Sequence, residues 1–346
     1  MITEALLTKI NEGRTGNNIG FSIGLDKLET VIDGLCQSTY TLIFSNSGSG
    51  KTTLALYSYI YKPIMQHLDD DNFKVLYISL EMGADVLMAK LLCMYLFETY
   101  GMEISVKELF SRREILSDEV YALVNDSENW LKQVESKLII YDKIANADTI
   151  YKLVMNEVDK NGSITETETR KVYSLNNPRL IFEVVIDHLS LIRPSKGRSL
   201  KEEMDLTSSY LVTLRNIFGI SPLVIMQANR DSMGMERRKQ GLSNMRLSDT
   251  KDSGNPPQDA EVVLSIFNPN REKLSTYKGY DIAQLGDKFR CITVLKSRYG
   301  ESDVEVGCNF FGRMGIWKEL PKPLEIIDYQ KYLDASYILN ENSLTV

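Results

Sequence analysis

The stretch Ser45–Thr52 reads S-N-S-G-S-G-K-T, a lysine and a hydroxyl residue closing a small, flexible run. Such a run lets successive backbone N–H groups converge on an anion. The spacing S-x-x-x-x-G-K-T is that of a phosphate-binding loop whose usual first glycine is a serine. Ser47, Gly48, Ser49, Gly50, Lys51, Thr52 and Thr53 are therefore expected to cradle phosphates, with Lys51 reaching the β and γ groups and the Thr52 hydroxyl holding Mg²⁺. The preceding run Tyr40–Phe44 is apolar enough for a buried parallel strand. A helix starting near Lys51 adds its positive dipole end to the loop. The ligand this pattern calls for is a nucleoside triphosphate.

Hydrolysis of a phosphoanhydride also needs a metal, a positioned water and extra positive charge in the transition state. Downstream strands end in candidates for each. Lys74–Met82 carries Glu81, which could orient or deprotonate a water, or merely cap a helix. Leu180–Ile192 carries Asp187 after V-V-I, the arrangement in which an aspartate anchors Mg²⁺. Pro222–Met226 leads to Gln227, able to hydrogen-bond a γ-phosphate, and Arg290–Leu295 leads to Lys296 and Arg298, a charge pair or a solvated face.

The elements that must position these residues alternate. Helical patterns at Asp85–Tyr95, Glu103–Lys137, Asp148–Val158 and Leu206–Phe218 separate the strands, with Leu138–Tyr141 and Glu261–Phe267 as further strands. Alternation of this kind predicts an α/β fold, a mostly parallel twisted sheet flanked by helices, with the site along its carboxyl edge. The polar segment at about 159–178 reads as a surface insertion. Ile2–Glu12 forms a short amphipathic helix, too short to stand alone, that folds back on its own domain or docks on a neighbour.

Composition bounds the rest. Hydrophobic residues make up 43% and charged residues 25% of the 346, which excludes disordered and fibrous classes. Apolar runs stay short of a membrane span and the N-terminus lacks a signal-peptide pattern, so a cytoplasmic protein is expected. Four cysteines without C-x-x-C spacing and only two histidines argue against zinc. A net charge of −7 speaks against a uniformly basic nucleic-acid binder but leaves room for a local basic strip.

Taken in order, G-F-S-I-G-L-D-K-L at Gly20–Leu28, S-L-E-M at Ser79–Met82, V-I-D-H-L at Val185–Leu189, Q-A-N-R at Gln227–Arg230, D-S-G-x-x-x-Q-D-A-E at Asp252–Glu261 and K-S-R at Lys296–Arg298 resemble the RecA-like ATPase domain of DnaB-type replicative helicases. The resemblance implies an ATP- and Mg²⁺-dependent motor on single-stranded DNA. Glu81 would be the catalytic glutamate, Asp187 the metal aspartate, Gln227 the γ-phosphate sensor, and Lys296 with Arg298 would act on the adjacent subunit of a six-membered ring. The family's strand-contacting loop maps to Ser248–Gly254, with Lys251, Asp252 and Gly254 at the gripping positions. Around it Arg230, Arg237, Arg238, Lys239, Arg246 and Lys251 outnumber Asp231, Glu236, Asp249 and Asp252. That excess, multiplied around a channel, would give salt-sensitive strand binding.

Residues 1–19 precede the expected ATPase core of 20–320, too few for the family's N-terminal collar, so a counterpart to it is not expected in these residues and docking of a primase or loader is left open. Ile2–Ile10 resembles the family's linker helix. The tail 321–346, with Tyr329, Tyr332 and Tyr337, falls outside the resemblance. Two readings remain at this point: a DNA helicase or translocase, and a RecA-like ATP-switched binding or assembly protein that does not unwind.

Overall fold

The fold is described from a computed structural model covering residues 2–166, 171–228 and 245–342. Its centre is β1 (Thr41–Ser45), every residue of which is buried. A strand buried on both faces needs a strand on each side and helices above and below. The chain supplies them as β2 (Phe73–Ser79), β3 (Leu138–Tyr141), β6 (Ile181–Asp187), β7 (Ser221–Gln227), β8 (Val262–Phe267), β11 (Phe289–Ser297), β12 (Val304–Phe311) and β13 (Ile316–Glu319). They form a nine-stranded sheet in the order β13-β12-β11-β8-β1-β7-β6-β2-β3. From β8 to β3 all neighbours are parallel. From β8 to β13 they are antiparallel. The short hairpin β9 (Thr276–Tyr277) and β10 (Tyr280–Asp281) lies in the connection from β8 to β11.

One face is covered by the P-loop helix and the helix Ala84–Tyr100, with Leu54, Tyr59, Leu91, Phe97 and Trp130 in a continuous apolar layer. The other is covered by the helices Ala147–Asn161 and Leu200–Phe218, which bury Ile150, Val154, Leu211 and Leu214. The P-loop helix starts as Lys51–Leu54, widens into a π-helical stretch at Ala55–Tyr61 and closes as Lys62–Gln66.

Several expectations change. The segment Glu103–Lys137 is three helices, Val106–Leu109, Asp118–Asp126 and Glu128–Lys137: Ser105 and Ser117 cap the first two by accepting the Glu108 and Val120 N–H groups, while Ser127, before the third, donates its hydroxyl to the Leu123 carbonyl. The strand expected over Leu180–Ile192 stops at Asp187 and gives way to a 3₁₀ turn at Leu189–Leu191. The 159–178 segment includes an antiparallel hairpin, β4 (Gly162–Glu166) and β5 (Lys171–Leu175). Tyr173 of this hairpin donates its hydroxyl to the Val158 carbonyl and packs edge-on against Phe218. The tail 321–342 is packed on the sheet, with Tyr332, Ala335, Tyr337 and Ile338 buried and Asn309 donating to the Tyr332 carbonyl at 2.7 Å. The N-terminal helix Ile2–Arg14 exposes about half of Leu6, Leu7 and Ile10.

Candidate nucleotide site

The P-loop crosses from β1 to its helix at the carboxyl edge of the parallel strands. Gly48 (φ 70°) and Gly50 (φ 103°) take the left-handed backbone that lets the loop close. A Cβ on Gly50 would stand 2.8 Å from the Trp317 ring, and one on Gly48 would stand 2.6 Å from the Arg271 guanidinium. The N–H groups of Lys51, Thr52 and Thr53 lie in the first helical turn, where no i−4 carbonyl is available, and so point at whatever fills the loop. Thr53 itself is buried, its methyl toward Gly315, which leaves its backbone for an anion.

Lys51 is folded onto the loop, donating to the carbonyls of Ser45 and Asn46 at 3.0 Å each. Burial lowers its pKa to about 8, with Asp187 and Glu81 opposing the shift. Thr52 Oγ1 donates to Asp187 Oδ1 at 3.1 Å, and the Tyr77 hydroxyl donates to Oδ2 at 2.6 Å. Asp187 is fully buried, and desolvation raises its carboxyl pKa against those two bonds. A buried carboxylate beside a hydroxyl, short of positive charge, is a hard-oxygen pair that fits Mg²⁺.

Glu81 follows β2 in a turn fixed by Ser79, whose hydroxyl donates to the Met82 carbonyl at 2.6 Å, and by the Leu80 N–H on the Asp187 carbonyl at 2.7 Å. The Glu81 side chain is half exposed, 3.8 Å from His188 Nε2. Gln227 ends β7 directly beside Ser45 of β1, exposed at the mouth of the loop. The structure thus brings Ser47–Thr53, Glu81, Asp187 and Gln227 to one edge.

Lys296 and Arg298 are not there. Because β11 runs antiparallel to β8, Ser297 pairs with Val262 and the Arg298 N–H reaches the Glu261 carbonyl, at the edge where β1 and β8 begin. The expectation that every strand ends on the carboxyl edge fails for β11. Tyr40, at this edge, and Ser45, at the other, are separated by roughly 16 Å of strand. Arg298 Nη1 donates to Glu261 Oε1 at 3.0 Å, and Lys296 Nζ donates to the Gln258 carbonyl at 2.7 Å. The turn carrying Lys251 and Asp252 is 3₁₀, Leu247–Ser253, followed by Gly254 at φ 81°. Arg230, Arg237, Arg238 and Lys239 lie outside the described residues.

Sequence reading missed a wall on the far side of the P-loop. Arg290, buried, donates Nε to the Ser49 carbonyl at 3.1 Å, and its guanidinium lies 5.3 Å from the Phe310 ring centre. Phe310 stacks on Trp317 at 4.7 Å, and Arg271 Nη1 donates to the Ser47 carbonyl at 2.8 Å. Arg290 and Phe310 also line a cavity of about 690 Å³ shared with Gly312, Arg313, Leu333 and Asp334. The available signal was the aromatic alternation in N-F-F-G-R-M-G-I-W, Asn309–Trp317, which marks a hairpin able to pack on the loop.

Comparison with known proteins gives a consistent neighbourhood. The family model described as DnaB-like helicase C terminal domain matches residues 20–318. The replicative DNA helicase DnaB of Mycoplasma genitalium is 28% identical over 273 residues, covering 78% of this chain and 51% of that protein. The same-named protein of Mycoplasma pneumoniae is 24% identical, with 78% and 50% covered. The chain spans about half the length of these relatives. Among solved structures, one described as an ATPase domain superposes with a TM-score of 0.69 at 20% identity, covering 93% of this chain and 99% of that one. A DnaB-like replicative helicase, described together with its interactions with primase, gives 0.67 at 21% identity, covering 93% and 67%. The shared architecture is the RecA-like ATPase fold.

Proposed function

Since the chain belongs to the family of DnaB-like helicase C-terminal domains, we propose that it hydrolyses ATP between copies of itself in a ring, six by the family's pattern, to move along single-stranded DNA during replication. The observation that carries this reading is the sheet itself: it holds the phosphate cradle on one edge and Lys296 with Arg298 on the other. A subunit cannot bring its own pair to its own P-loop across the strands. A second copy can.

In this reading Ser47–Thr53 hold the phosphates by their N–H groups, and Lys51 exchanges its two loop carbonyls for phosphate oxygens. Thr52 and Asp187 are the residues that would hold Mg²⁺, which when bound offsets phosphate charge. Glu81 orients a water toward the γ-phosphorus and takes its proton as the bond to the leaving ADP oxygen breaks. Gln227 reports the γ-phosphate to β7. Lys296 and Arg298 of the adjacent copy meet the charge that builds on the transferring group. The cavity lined by Arg290, Phe310 and Gly312 offers the base room beside the loop. Lys251, Asp252 and Gly254 are the positions that meet the strand's phosphates in the channel, and a primase or loader is the further partner this reading admits. No described helix is long and apolar enough to cross a membrane.

Forked-duplex unwinding and ATP hydrolysis, measured together for wild type, Glu81→Gln and Arg298→Ala, test the proposal. Strand-stimulated hydrolysis and unwinding by wild type, both lost in each variant, are expected. ATP-dependent strand binding with no unwinding by wild type would replace the motor with an ATP-switched binding protein.

A further inference from the structure

The turn Leu247–Ser253 and the pair Lys296 and Arg298 are joined by a continuous track. After Gly254 the chain runs beside the helix Leu200–Phe218 and is pinned to it at three levels. Asn255 N–H donates to Asp205 Oδ1 at 2.5 Å, Ser208 Oγ donates to Asp259 Oδ2 at 2.7 Å, and Arg215 donates through Nη1 to both oxygens of Glu261. From Asp205 to Arg215 the helix rises roughly 15 Å. The track therefore spans from the turn to the edge of the sheet where Arg298 stands.

Both members of the pair are fastened to this track. Lys296 Nζ donates to the carbonyls of Pro257 at 3.3 Å and Gln258 at 2.7 Å. Arg298 is held by Glu261 twice, through its N–H on the Glu261 carbonyl and its guanidinium on Oε1, both at 3.0 Å. A register shift between Val294 and Lys296 re-aims the end of β11 toward this segment.

Glu261 does not need Arg298. Its carboxylate is buried, takes Arg215 on both oxygens and accepts the Tyr40 N–H at 2.9 Å, so it is neutralised and hydrogen-bonded without the second arginine. Arg298, by contrast, is 54% exposed, and only Nη1 of its guanidinium is engaged among the described residues. The other N–H donors of this guanidinium have no partner among the described residues. The contact thus serves Arg298: it fixes the direction of the fork and leaves most of the fork open.

We propose that Glu261 is a positioning residue that holds Arg298 in the pose an adjacent P-loop requires, and that the track Gly254–Glu261 ties this pose to the strand-contacting turn. The inference rests on the shared-site reading above. A pull on the turn is transmitted along Pro257 and Gln258 to Lys296 and through Glu261 to Arg298, so that strand binding on one copy sets the charge offered to its neighbour.

The test compares Glu261→Gln, Arg298→Ala and the double variant in the full chain, by ATP hydrolysis with and without single-stranded DNA. Losing the charged acceptor should lower DNA-stimulated kcat by about 10-fold or more, the scale of one charge-assisted hydrogen bond. The KM for ATP should stay within about two-fold of wild type, since the variant's own phosphate cradle is untouched. The double variant should be no slower than Arg298→Ala alone. Wild-type kcat in Glu261→Gln with an inactive Arg298→Ala overturns the role of Glu261 and leaves the shared site standing. Additive losses in the double variant also overturn it, while wild-type kcat in Arg298→Ala overturns both readings. Should Glu261→Gln fail to fold, Glu261→Asp keeps the charge for Arg215 at a shorter reach. Reduced kcat at an unchanged Tm then supports the proposal and wild-type kcat overturns it.

Discussion

The two edges of the sheet solve opposite problems. At the carboxyl edge Lys51 and Asp187 are turned inward: Lys51 rests on its own loop carbonyls, Asp187 is shielded by Thr52 and Tyr77, and a wall of Trp317, Phe310 and Arg290 backs the loop. At the opposite edge Arg298 is turned outward on a buried carboxylate that is already satisfied. On the shared-site proposal the two arrangements have one logic each: a group that binds within its own copy is buried on its own loop, whereas a group meant for a neighbour is held by its base and left open at its tip.

Substitutions at each edge should have separable effects. Arg298→Ala should lower kcat by about 10³-fold, the lower end for a charge supplied to a phosphoryl-transfer site, with ATP affinity nearly unchanged. Steady-state kinetics beside nucleotide titration read both, and a matched loss of affinity would mean that Arg298 holds bound ATP rather than the transition state. Trp317→Ala removes a fully buried ring that packs against Gly50. A loss of about 3–5 kcal/mol in denaturant unfolding is expected, together with weakened ATP binding. Lys51→Ala should cost about 10²-fold in ATP affinity, from the loss of charge-assisted bonds, and leave the Arg298 edge intact. The smallest effect is a pH dependence. The free-site Lys51 has a pKa of about 8, and bound phosphate raises it. Between the two values binding must take up a proton, so ATP affinity should fall as pH rises through about 8. Calorimetry in buffers of different ionisation enthalpy should find uptake approaching about one proton per site near pH 9 and little at pH 7.

Much of the carboxyl edge was legible in the sequence because its chemistry is local. A buried strand, two glycines and Lys51–Thr52 lie within a dozen residues, and Glu81, Asp187 and Gln227 each follow an apolar run that ends at the same edge. The direction of β11 was not legible, since R-C-I-T-V-L reads as a buried strand in either orientation. Its antiparallel course follows from the connection after β8, which contains a small hairpin and the single helical turn Ile282–Leu285 in place of a long crossover helix. The wall on the P-loop was hidden for the same reason. Arg290, Phe310 and Trp317 lie some 240 to 270 residues beyond the loop and reach it only through pairing in the β11–β13 meander. The tail's tyrosines gave no sign of their burial, because only tertiary contact with Asn309 and Phe311 places them.

A site built from two copies can be repaired by mixing two defective variants. Lys51→Ala retains a sound Arg298 edge, and Arg298→Ala retains a sound cradle. Combined one to one and allowed to exchange subunits, they should recover strand-stimulated hydrolysis, since about a quarter of the interfaces in a randomly mixed ring pair an intact cradle with an intact arginine. Activity in the mixture no greater than that of the two variants measured apart would mean that no site is shared between copies.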